Sequence, residues 1–125
     1  MTNNFSIGRG RAKLDFSVII LGNDISISIS GGTKPHVGAV ALSIPRPSLK
    51  NNEKMSSTTS LLAVTGHKDD EVAKSVAEKV ASSTGKTVVT IAGIHIDNAS
   101  VKEIEAIRKN AELGTGRIIS SFNNK

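Results

Sequence analysis

The chain has no cysteine, tryptophan or tyrosine, and only three phenylalanines and three prolines. Without thiols there are no disulfides, no thiolate metal sites and no thiol nucleophile, which fits an intracellular compartment. With Phe5, Phe16 and Phe122 as the whole aromatic complement and no dense Lys/Arg tract, base stacking has almost no platform, so nucleic acid is not expected as a partner. No run approaches the ~18 apolar residues of a membrane span. Arg9, Arg11, Lys13 and Asp15 stand where a signal peptide would need its apolar stretch. These absences predict a soluble, cytoplasmic protein with no membrane partner.

What is present is aliphatic. The 125 residues are 38% hydrophobic, mainly Ile, Val, Leu and Ala, enough for a single domain over 1–125 with a genuine core. The formal charge of +5 is uneven, because residues 1–50 carry six basic groups against Asp15 and Asp24 while the rest is nearly balanced. Such a field favours an anionic partner.

The periodicities predict an α+β fold, a mostly antiparallel sheet with two helices packed on one face. LDFSVIILG and DISISIS read as strands joined by a hairpin turn at Gly22–Asp24. In the second, Ile25, Ile27 and Ile29 face one way and the serines the other, so one side is buried and the other faces water or a partner. FSIGRGRAK suggests a further edge strand presenting Arg9, Arg11 and Lys13. VGAVALSIP predicts a third strand of the main series, ended by Pro45 and Pro47. A polar loop over 47–57 and a strand over TTSLLAVTG follow. From Asp69 to Ser83 valines and alanines recur at helical spacing, with Asp69 or Asp70 as cap and Gly85 as stop. TVVTIAGIHI returns to strand. Ser100 and Glu103 form a capping box ahead of a second helix, with Val101, Ile104 and Ile107 as its buried stripe and Gly114 as its expected end.

All three histidines lie at chain elbows: His36 after GGTKP, His67 in TGHKDD and His95 in AGIHIDN. If the elbows share one end of the sheet, the site also collects Lys34, Lys68 and Asp97. Gly31 and Gly32 can serve as a turn or let backbone amides approach an anion. Three neutral imidazoles could instead hold a metal, which keeps a histidine-metal hydrolase or lyase open as the alternative, although no local metal-ligand spacing is present. No G-x-S-x-G elbow selects a nucleophilic serine, and no constellation predicts an enzyme.

Taken together, GGTKPHVG, GHKDD and AGIHIDNAS, with a helix between the second and third and another after the third, resemble the LpdD-type prenylated-flavin chaperones. These are accessory proteins of UbiD-type hydroxyarylic acid decarboxylases. The resemblance implies a non-catalytic protein that binds prenylated flavin mononucleotide (prenylated FMN) and supports its delivery or maturation. Its partners would be a UbiD-type decarboxylase and a flavin prenyltransferase, and a homodimer is expected from size and family. Carried over by position, the flavin site comprises Gly31, Gly32, Thr33, Pro35, His36 and Gly38, then His67, Lys68 and Asp69, then Gly93, Ile94 and His95. Lys34, Arg46 or Lys68 would anchor the phosphate, and no metal is implied. The chain departs from the family pattern at Ala39, small and neutral where an acidic residue can stand, and at Asp70 in place of an amide.

Overall fold

The computed structural model describes residues 2–64 and 69–123. Among them, six strands form one sheet: β1 (Thr2–Ile7), β2 (Leu14–Leu21), β3 (Asp24–Gly32), β4 (Ala39–Pro47), β5 (Met55–Ala63) and β6 (Val88–His95). Helix α1 (Asp69–Thr84) precedes β6, and α2 (Val101–Asn123) follows it. The spatial order is β1-β2-β3-β6-β4-β5. All neighbours are antiparallel except β3 and β6, which run parallel. The architecture is the expected α+β arrangement.

Alternation decides which face is buried. Phe16, Val18, Ile25, Ile27, Ile29, Ala39, Ala41, Val88 and Ala92 pack beneath Ala73, Val76, Ala77, Val80 and Ala81 of α1 and Ala111 and Ile118 of α2. Alanine at six of these positions, three on α1 and three on the strands, lets α1 lie close on the sheet, so contact is gained through backbone proximity rather than large side chains. Where α2 crosses the β1–β2 edge, Phe5 stacks on Phe16 with centroids 4.9 Å apart, and the Arg117 guanidinium sits 4.3 Å over the Phe5 ring. Among the described residues, the opposite face carries no helix. It presents Ser26, Ser28 and Ser30 beside Ile19, Leu21, Leu42, Ile44 and Leu62, all five exposed.

Four sequence expectations are corrected. The N-terminal edge strand is 2–7, and Arg9 and Arg11 lie outside it, Arg11 in a 3-10 turn at Gly10–Ala12, because Gly8 and Gly10 take positive φ. Pro45 lies inside β4, and the strand ends only at Pro47. The β4–β6 ladder stops at Ser43, so the prolines fall where no donor is required on that side. Gly114 does not stop α2, which runs on to Asn123. A Cβ at Gly114 would strike the Phe16 ring, so this glycine permits close helix–sheet approach. Finally, Val101 and Ile104 are exposed, and the buried stripe of α2 is Ala111, Gly114, Thr115 and Ile118.

Two helix signals, the capping box of α2 and the glycine stop of α1, act as read. Ser100 Oγ accepts the Glu103 N–H at 3.1 Å and Glu103 Oε1 accepts the Ser100 N–H at 3.0 Å, a closed capping box. Gly85, with φ +71, ends α1 by donating its N–H to the Ala81 carbonyl.

Candidate functional site at the carboxyl end of the parallel strand pair

Topology builds the site. Since β6 lies between β3 and β4, the connection 33–38 must cross over the carboxyl end of β6. β5 also ends at this rim, and α1 begins there. The GGTKPHVG and AGIHIDNAS segments therefore meet at one end of the sheet, together with Asp69 and Asp70 of the GHKDD segment. His67 and Lys68 lie outside the described residues, but the chain on either side of them is fixed there: the Val64 N–H donates to the Gly38 carbonyl at 2.7 Å and Asp69 accepts from Ile94.

The crossing loop is tied to β6 by main-chain bonds. The His95 carbonyl accepts the Thr33 N–H at 2.6 Å, the Lys34 N–H at 3.3 Å and the Thr33 hydroxyl at 3.2 Å. Thr33 Oγ1 in turn accepts the Asp97 N–H at 3.2 Å. Farther along, the Gly38 N–H donates to the Ala92 carbonyl at 2.8 Å. This proximity excludes side chains at two points. Gly32, with φ +79, would drive a Cβ into the His95 carbonyl, and a Cβ on Gly93 would strike the His36 carbonyl. Gly31 pairs with Leu14 and Ile94 at the strand end, and Pro35 is exposed at the crest of the crossing loop.

Beneath the loop, Asp69 is 3% exposed. Its Oδ1 accepts the Ile94 N–H at 2.9 Å, and its Oδ2 lies 3.1 Å from His36 Nε2. His36 Nδ1 lies 2.9 Å from the Lys34 carbonyl, and since a carbonyl only accepts, this nitrogen carries a proton. The two atoms that face each other, His36 Nε2 and Asp69 Oδ2, are both sealed from solvent. Of the two cap candidates, Asp69 and Asp70, it is Asp70 whose Oδ1 accepts the Glu71 N–H at 2.9 Å. Asp69 instead holds the crossing loop and the end of β6 together.

On the outer side of the rim, Asp97 Oδ1 lies 2.9 Å from His95 Nε2 and 3.6 Å from Lys34 Nζ. The hydrogen bond from His95 holds the Asp97 carboxyl below its usual range; burial, the next largest effect, opposes it, and the charges of Lys34 and His95 add to the lowering. Arg11 braces the same turn, with Nη2 donating to the Asp97 carbonyl at 2.6 Å and Nε to Glu103 Oε2 at 2.8 Å. The Ser100 amide and Arg11 hold Glu103 below its usual pKa. Nothing local in GRGRAK signals that Arg11 reaches residues 86 and 92 positions away.

Arg46 is not part of this assembly. It lies seven residues beyond Ala39 along β4, roughly 23 Å of strand from the rim. There its guanidinium donates to Thr58 Oγ1 at 2.7 Å and to the Pro47 carbonyl at 3.1 Å. Among the described residues, no group of three or more His, Asp or Glu side chains is arranged to hold a metal ion. No helix among them is long and apolar enough to cross a membrane.

Next to the rim, a cleft of about 530 Å³ opens between the start of α1, the end of β6 and the first turns of α2. Asp69, Ile94 and His95 of the motif segments line it. So do Val72, Ile96, Ile104 and Ile107, which sequence periodicity assigned to buried helix stripes or left unremarked.

The family model for the prenylated flavin chaperone LpdD-like domain matches residues 8–123. No curated protein matches the chain. Among solved structures, a chain from the crystal structure of a chaperone complex for yeast 20S proteasome assembly is similar at a TM-score of 0.52 and 12% identity. The match covers 90% of this chain and 94% of that one, a likeness of fold alone.

Proposed function

The chain belongs to the prenylated flavin chaperone LpdD-like family, and from that membership we propose that it is a non-catalytic carrier of prenylated FMN that passes the cofactor to a UbiD-type hydroxyarylic acid decarboxylase. The cofactor would come from a flavin prenyltransferase. The observation that carries this reading is the convergence of the GGTKPH loop, the start of α1 and the AGIH strand end on one rim.

The residues at that rim suit such a ligand. Glycine at 32 and 93 lets the crossing loop lie directly on β6, which fixes the shape of the rim. The Lys34 side chain is 71% exposed and held to Asp97 by a single 3.6 Å contact, so its ammonium is available to a phosphate. His95 is half-exposed beside it and can hydrogen-bond a heterocycle edge. Asp69 acts in this reading as a positioning residue, because both of its oxygens are directed at the protein. His36, whose ring nitrogens face the Lys34 carbonyl and Asp69, holds the loop in the same way, and Lys68 and His67 complete the set by sequence position.

We also propose a homodimer formed through the helix-free sheet face, where Ile19, Leu21, Leu42, Ile44 and Leu62 lie exposed without a covering layer.

The test is gel filtration of the protein after incubation with prenylated FMN. A flavin absorbance band eluting with the protein is expected, and His36→Ala or Lys34→Ala should reduce retention several-fold. A colourless protein at saturating cofactor rules the reading out. Client identity is checked separately: apo-decarboxylase should gain activity faster from the loaded carrier than from free cofactor, and equal rates remove that link.

A further inference from the structure

The geometry points to the cleft between α1, β6 and α2 as the seat of the ligand's planar ring system, with the phosphate left outside it on the Lys34 side of His95. This inference rests on the flavin reading above and assigns it a place.

Size is the first ground. At about 530 Å³ the cleft falls within the span of small-molecule sites, roughly 300–1,000 Å³, and so holds a tricyclic ring with an added aliphatic ring. Chemistry is the second. Its walls are aliphatic, from Val72 on α1, Ile94 on β6, Ile96 just beyond it, and Ile104 and Ile107 on α2. Val72, Ile94 and Ile107 are only partly buried and Ile104 is 37% exposed, while Ile96 is buried. Apolar surface kept wet in the free protein is surface that a planar apolar guest removes from water. With no tryptophan or tyrosine in the chain, the grip on such a ring is aliphatic.

Charge sets the orientation. Asp70 and Glu71 stand at the α1 side of the cleft, and Arg108 is already held by Glu71 at 3.6 Å and Glu105 at 3.5 Å. A phosphate placed there meets acid groups and must displace them from Arg108. His95 lines the cleft and also touches Asp97, which contacts Lys34. The cleft is therefore continuous with the basic outer rim, and the ligand's anionic end is directed that way. Continuity extends inward as well, since Asp69 and Ile94 belong to both the cleft wall and the loop anchor.

The experiment fills the cleft. Ala99→Trp, in the exposed turn before α2, and Ile104→Trp are titrated with prenylated FMN by flavin absorbance after gel filtration and by quenching of flavin fluorescence. Leu49→Trp, 88% exposed in the β4–β5 loop, is the size-matched control. Both cleft variants should weaken retention at least tenfold while melting at the wild-type temperature, and Leu49→Trp should bind as wild type. Should Ile104→Trp fail to fold, Ala99→Trp decides. Wild-type retention by folded cleft variants overturns the seat and leaves the carrier function standing. Absence of retention by the wild-type protein overturns both.

Discussion

The carbonyl oxygen of His36 occupies the space in which a side chain on Gly93 would stand, so the crossing loop rests directly on β6 backbone. Gly93→Ala must push the loop away. A cost of about 1–3 kcal/mol is expected, typical of overpacking at a close contact, together with loss of flavin retention. Urea unfolding of the variant measures it, and an unchanged midpoint would mean that the loop yields freely.

Asp69 offers a graded test of the buried anchor. Asp69→Ala removes the acceptor of the Ile94 N–H and the group facing His36, at about 1–3 kcal/mol for leaving buried polar groups unsatisfied. Asp69→Asn keeps an oxygen for Ile94 and should fall between Ala and wild type. Denaturant midpoints of the three proteins give the order.

Two glycines of α2 should respond with opposite sign. Gly114→Ala drives a methyl into the Phe16 ring, whereas Gly116→Ala enters open space. The first is expected to destabilise by about 1–3 kcal/mol. The second should stabilise by up to about 1 kcal/mol, because alanine is the better helix former. Calorimetric melting of both single variants provides the comparison.

Acid should act late on the outer rim. Asp97 is depressed mainly by its hydrogen bond with His95, so its contribution is full above the ordinary carboxylate value of 3.8 and is lost as pH falls through its lower folded-state pKa. Carboxyl carbon shifts followed by NMR should show Asp97 inflecting below 3.8, and His95→Ala should move the inflection upward.

The helix-free face is open to a direct assay. Leu42→Asp combined with Leu62→Asp places charge on the proposed dimer surface without touching the helix-covered core. Sedimentation velocity should show a monomer for the double variant at concentrations where the parent chain is dimeric. A dimer of undiminished affinity would remove this face as the interface.

Much of this was legible in local pattern. Ile25, Ile27 and Ile29 alternate with serines, and the capping box at Ser100 and Glu103 is a short-range signal that tertiary context left intact. The rim itself was readable as three motifs in order, and the placement of β6 between β3 and β4 is what brings two of them, with the approaches to the third, to one end. That placement is a pairing between residues some sixty positions apart, which no window of sequence contains. Gly114 was misread because helix termination and close packing call for the same residue. Val101 and Ile104 were misread because an apolar periodicity reports one face of a helix without saying whether anything covers it. Arg46 was grouped with the anchors by charge alone, although its strand carries it to the opposite end of the sheet.

The position of β6 also has a consequence for synthesis. A nascent chain that has emerged only as far as β5 holds two separate meanders, β1-β2-β3 and β4-β5, each with a bare edge where β6 belongs. Such edges are templates for pairing with other chains. Truncation before Val88 should thus yield aggregation rather than a smaller soluble domain, and release of the last third of the polypeptide closes the sheet in a single late insertion.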